Sequence, residues 1–79
     1  MRKYIAAIGQ IDTTDGWDHC MSTAERFVDE AASAGAKLIA FPENFSQYNG
    51  GHTPAEPLEN SPTLERMARK AKEHGIWIL

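Results

Sequence analysis

Lys37-Leu38-Ile39-Ala40-Phe41-Pro42 is the stretch on which the fold turns. It reads as a short apolar strand that proline stops, because proline brings no amide hydrogen to a ladder. Immediately before it, Gly35 stands where a left-handed helix C-cap is expected. Further back, Cys20, Met21, Ala24, Phe27, Val28 and Ala31 recur at three- and four-residue spacing, which predicts an amphipathic helix over about Gly16 to Ala34. Glu25, Arg26, Asp29, Glu30 and Ser33 fall on its other face. Thr13-Thr14-Asp15-Gly16 is a turn cluster in which Asp15 can cap that helix, and Asp18 adds a carboxylate to its first turn. Upstream again, Tyr4 to Ile11 (YIAAIGQI) is almost continuously apolar and predicts a strand buried on both faces.

Beyond Pro42, Glu43 to Ser61 is a connection rich in Gly, Pro, Asn and Thr. Connections of this length are uncommon in compact domains and are often functional. Ser61-Pro62 is a helix start, with serine as cap and proline at the first helical position. Leu64, Met67, Ala68 and Ala71 form the stripe of that helix and Gly75 ends it. Ile76-Trp77-Ile78-Leu79 reads as a third buried strand. The order strand, helix, strand, long loop, helix, strand predicts an α/β architecture with a largely parallel sheet and right-handed crossovers.

The chain has 79 residues, 42% of them hydrophobic and 24% charged, with a formal net charge of −3. This is the balance of a globular chain and gives no electrostatic case for nucleic acid. No apolar run is long enough to span a bilayer, and Met1-Arg2-Lys3-Tyr4 leads into no secretory signal, so cytoplasm is the expected location and no membrane partner is expected. A single cysteine excludes an internal disulfide and a multi-cysteine zinc site. A chain this short buries only about 60% of its unfolded surface and has a thin margin if it folds alone.

Ligands of open α/β sheets gather at the carboxyl ends of the strands. Glu43 follows the end of the second strand, within Phe41-Pro42-Glu43-Asn44-Phe45. Flanked by Phe41, Pro42 and Phe45, its carboxylate would lose solvent, which raises a carboxyl pKa and suits a general base. The same position also fits a plain loop glutamate. Cys20 adjoins His19, but neighbours on a helix point apart, and Cys20 lies on the apolar stripe as a small hydrophobe would. His19, His52 and His74 match no metal spacing. His52 reads as a solvated loop residue and His74 as a charge at a helix C-terminus. Gly9 and Gly16 build no dinucleotide fingerprint, and Gly50-Gly51 no phosphate loop. Arg66, Arg69, Lys70 and Lys72, with Glu65 four residues before Arg69, read as a solvated helix face. Trp17 and Trp77 read as packing residues, Trp77 in a strand that needs cover on both sides.

These residues carry a resemblance to the nitrilase superfamily of carbon–nitrogen hydrolases, in its amino-terminal portion. It runs from Ala6-Ala7-Ile8-Gly9-Gln10, through Ala31-Ala32-Ser33-Ala34-Gly35-Ala36-Lys37-Leu38-Ile39 and Phe41-Pro42-Glu43-Asn44-Phe45, to Ala71-Lys72-Glu73-His74-Gly75-Ile76-Trp77-Ile78. The resemblance implies that residues 1–79 are the N-terminal part of one four-layer α–β–β–α sandwich domain, roughly a third of its length. It implies a Glu-Lys-Cys triad in which Glu43 matches the glutamate, while the lysine and cysteine lie beyond Leu79 and Cys20 is not the nucleophile. Asn44 and Phe45 are then candidates for shaping the substrate pocket, and the loop from Ser46 to Asn60 for substrate selection or a subunit contact. The implied substrate is a small amide, nitrile or N-carbamoyl compound, with an aliphatic amidase leading. No metal or organic cofactor is implied, and the parent is expected to be a homo-oligomer.

A reading of another class is a small non-catalytic α/β binding or assembly module. The last strand runs to the terminus with no turn or cap, which favours a cut through a larger enzyme. Without its nucleophile, the 79-residue chain is expected to be inactive.

Overall fold

The computed structural model describes residues 3–12, 16–42 and 58–79. They form strand β1 (Ile5–Ile8), helix α1 (Trp17–Ser33), strand β2 (Ala36–Ala40), a 3₁₀ turn (Leu58–Asn60), helix α2 (Pro62–His74) and strand β3 (Trp77–Ile78). The strands make one sheet in the order β1-β2-β3, both pairs parallel. This is the α/β class the sequence predicts, with β2 at the centre. The ladder puts Ala7 opposite Ile39 and Ile39 opposite Ile78. Lys37 is an extra residue on β2, because Ile5 pairs with Ala36 while Ala6 pairs with Leu38.

Helix α1 starts at Trp17 behind Gly16, which caps it without a side-chain hydrogen bond. Asp15, the expected cap, lies outside the described residues. Asp18 occupies the first turn. The helix closes at Ala34, and Gly35 follows at φ 88°, in the left-handed region that glycine tolerates. For α2 the expected caps are both present. The Leu64 amide donates to Ser61 Oγ at 3.1 Å, Pro62 opens the helix, and Gly75 ends it in the left-handed conformation.

Both helices lie on one face of the sheet. Val28 and Ala31 of α1 pack with Ala36, Ile39 and Ile76, and Met21 and Ala24 pack with Met67 of α2. Ala7, Phe27, Phe41 and Ile78 join the first cluster, and Phe41 and Ile78 also touch the second.

Three expectations are corrected here. Strands β1 and β3 are not buried on both faces: Ile8 is 84% exposed and Trp77 76%. Alternation turns Ala7, Ile39 and Ile78 to the helices, so Ile8, Leu38 and Trp77 face the other way, where no described element lies. Strands β1 and β3 are also shorter than the apolar runs Tyr4–Ile11 and Ile76–Leu79 suggest, whereas β2 keeps the expected length and starts one residue earlier. On α2 only Met67 is buried, with Leu64 and Ala68 exposed beside the outer edge of β3.

The charged faces differ from the sequence reading as well. Glu25 and Asp29 turn toward α2, so Arg66 and Lys70 do not belong to a solvated face. Arg66 Nε donates to Glu25 Oε2 at 3.0 Å, its terminal nitrogen donates to the other carboxylate oxygen, and its guanidinium lies 5.3 Å from the Trp17 ring centre. Lys70 Nζ donates to Asp29 at 2.9 Å. Arg69 keeps the expected exposed pair with Glu65. Trp17 packs as expected, and its indole N–H donates to Thr63 Oγ1 at 2.9 Å.

Candidate functional site

The carboxyl ends of the three strands lie side by side. Beyond the regular pairing, the Gly9 amide donates to Ala40 O at 2.8 Å, the Leu79 amide to Ile39 O at 2.9 Å and the Phe41 amide to Leu79 O at 2.9 Å. Phe41 leaves this edge half-buried, with its ring between the two core clusters, and Pro42 emerges exposed. The chain is thus delivered to residue 43 from the end of the central strand, where an open α/β sheet gathers its ligands. Glu43, Asn44 and Phe45 themselves, and His52, lie outside the described residues.

Gly9 is buried at this edge, and its lack of a side chain is used. A Cβ there would stand 2.7 Å and 2.9 Å from two Phe41 ring carbons and 3.2 Å from a Phe27 ring carbon. Beside it, Gln10 and Glu30 line a groove together with Ala7, Phe27 and Ile39.

Cys20 is wholly buried, as the hydrophobe reading requires and as an open nucleophile would not be. His74 does not merely sit at a helix end. Its Nε2 lies 2.7 Å from Asp29 Oδ1 and 3.9 Å from Glu73 Oε1. Asp29, Glu73 and His74 therefore bring three potential metal-ligand atoms within 4.8 Å of one another. The ammonium of Lys70 already stands among them, 2.9 Å from Asp29 and 3.5 Å from Glu73, so the cluster works as an ion-paired clasp between the helices. Hydrogen bonds from Lys70 and then His74 hold the Asp29 carboxyl below its usual range. The Arg66 hydrogen bond does the same for Glu25, against some opposing desolvation.

Sequence reasoning did not find this cluster, since residues 29 and 73–74 meet only through helix packing and no local spacing encodes that. The Gly9–Phe41 approach did have a signal, because glycine inside a strand marks close contact with another group.

The comparisons with known proteins bear on the family. The profile of the carbon–nitrogen hydrolase family matches residues 5–79. An N-carbamoylputrescine amidase of Arabidopsis thaliana is 32% identical over 84 residues, covering 98% of this chain and 28% of that protein. The chain thus spans little more than a quarter of the length of that relative. No solved structure matches it significantly. A profile match over nearly every residue, on a chain folded as a parallel three-stranded α/β unit, shows that this chain belongs to the carbon–nitrogen hydrolase family.

Proposed function

We propose that the chain supplies the general base, Glu43, of a thiol-dependent enzyme that cleaves a non-peptide carbon–nitrogen bond. The observation that carries this is Phe41-Pro42-Glu43 at the carboxyl end of the central strand of a family member. The cysteine and lysine of the triad have no counterpart among residues 1–79 and would come from the rest of the enzyme, so residues 1–79 alone are inactive on this reading.

In that scheme Glu43 takes the thiol proton as sulfur bonds to the carbonyl carbon. The lysine ammonium steadies the resulting oxyanion. The carbon–nitrogen bond then breaks, and Glu43 returns the proton to the departing nitrogen. Water attacks the S-acyl or S-carbamoyl intermediate with Glu43 again as base, and the thiol is restored. One carboxyl serves both halves when its pKa lies near neutrality, which loss of solvent beside Phe41 and Phe45 would favour. Asn44 and Phe45 shape the pocket entrance.

The substrate class is a small amide, and the name of the Arabidopsis relative favours an N-carbamoyl amine. The sheet face bearing Leu38 and Trp77 receives the second sheet of the four-layer sandwich. The parent enzyme is cytoplasmic and homo-oligomeric.

The test uses the complete enzyme and ammonia release from two probes, an N-carbamoyl amine and a short aliphatic amide. Glu43→Gln is expected to abolish turnover of whichever probe is used, by a factor of about 10⁴ or more, without loss of folding. Near-normal turnover by that variant would remove Glu43 from the mechanism.

A further inference from the structure

We propose that Gly9 is a positioning residue for the general base: its missing side chain admits the Phe41 ring and thereby holds the backbone just past the end of β2, from which the chain runs on to residue 43. This rests on the reading of Glu43 given above and adds a residue from a different strand to it.

The argument is steric. Phe41 is tethered at its amide by Leu79 O, and Gly9 is tethered by Ala40 O, so neither backbone can withdraw without breaking the ladder. The ring has little freedom either. It is packed between the Val28–Ile39 cluster and the Met21–Met67 cluster, with Phe27 on the same side of Gly9. A methyl at position 9 would meet ring carbons at 2.7 and 2.9 Å, well inside van der Waals contact. The ring must then turn, and well-packed cores pass such shifts to the backbone that carries them. That backbone is the end of β2, two residues before Glu43.

The experiment measures kcat and KM for Gly9→Ala, Phe41→Leu and the double variant in the complete enzyme, per folded molecule by gel filtration and near-ultraviolet circular dichroism, beside Glu43→Gln. Gly9→Ala is expected to lower kcat by about 10- to 100-fold, the cost of a displacement near 1 Å at a catalytic group. KM should stay within about threefold, since a misaimed base weakens the transition state and not substrate binding. Replacing the Phe41 ring by leucine should relieve the clash, so the double variant recovers to about the level of Phe41→Leu alone. A purely structural role for Gly9 would lower the folded yield but leave kcat per folded molecule unchanged. That result, with Glu43→Gln inactive, overturns the positioning role and leaves Glu43 in place. Near-normal turnover by Glu43→Gln overturns the base assignment and the positioning role together. If Gly9→Ala does not fold, the double variant decides: a folded enzyme as active as Phe41→Leu supports the proposal, and failure to fold or to turn over refutes it.

Discussion

Helix α2 is held to the rest of the molecule by one buried apolar anchor and several ion pairs, and substitution can decide which matters more. Met67 is its single buried residue, 7% exposed, packed with Met21 and Ala24 and touched by Trp17, Phe41 and Ile78. Truncating a buried methionine to alanine costs about 2–5 kcal/mol. The lower half of that range applies here, about 2–3 kcal/mol, because exposed Leu64 and Ala68 beside it can settle into the space. Against this stand the contacts of Lys70 and Arg66 with α1. The Asp29 side chain is 46% exposed, so solvent screens its pair with Lys70 to about 1 kcal/mol or less. Native-state hydrogen exchange reads the opening of α2 directly. At 1.4 kcal/mol per tenfold, Met67→Ala should speed exchange of the α2 amides by about 30- to 150-fold in the complete enzyme, and Lys70→Met by about fivefold at most. If Lys70→Met loosens α2 more than Met67→Ala does, the clasp is the principal fastening and the ranking is wrong.

Cys20→Ser should leave kcat per folded molecule unchanged while lowering stability by about 1–3 kcal/mol, since it exchanges a wholly buried thiol for a smaller and more polar hydroxyl; loss of turnover at full folding would return Cys20 to the chemistry. The Glu25 and Asp29 carboxyls have folded-state pKa values below their ordinary 4.5 and 3.8, so the stability they lend is complete above those values and fades as pH falls through the lowered ones. Exchange of the α2 amides, corrected for intrinsic rates, should therefore rise in acid, and Glu25→Gln should reduce that acid sensitivity; an unchanged acid response in the variant would count against the pairing. Trp77→Asp should lower the melting temperature of the complete enzyme markedly if a second sheet covers that face, and an unchanged melting temperature would place the residue in solvent.

Much of the fold was legible because it is written in short range. The caps of α2 are a serine, a proline and a glycine at fixed offsets, and each does what its backbone chemistry requires. The stripe of α1 from Cys20 to Ala31 follows from a 3.6-residue period. Pairings across the molecule were less legible. Glu25 and Arg66 are 41 residues apart, as are Asp29 and Lys70, and their meeting depends on the angle at which two helices lie on a sheet. Burial was misjudged for Ile8 and Trp77 because an apolar strand states that it wants cover and does not state what provides it. The candidate base is a different case. Nothing local separates Glu43 from any loop glutamate, and only its place after Phe41-Pro42 at a strand end, within a recognisable family pattern, singles it out.

The exposed face and the candidate site bear on each other. Parallel sheets occur almost entirely with both faces covered, because each strand is apolar on both sides. Here one face is covered by α1 and α2, and the other presents Ile8, Leu38 and Trp77. The strands that lead toward residue 43 are the same strands whose second face no described element covers. In the mechanism proposed above, the thiol partner must approach the base to within hydrogen-bond reach. A layer that packs on this face also brings its own strand ends or loops to the edge where Gly9, Phe41 and Leu79 meet. On the proposed reading, covering this face and completing the active site would then be one event.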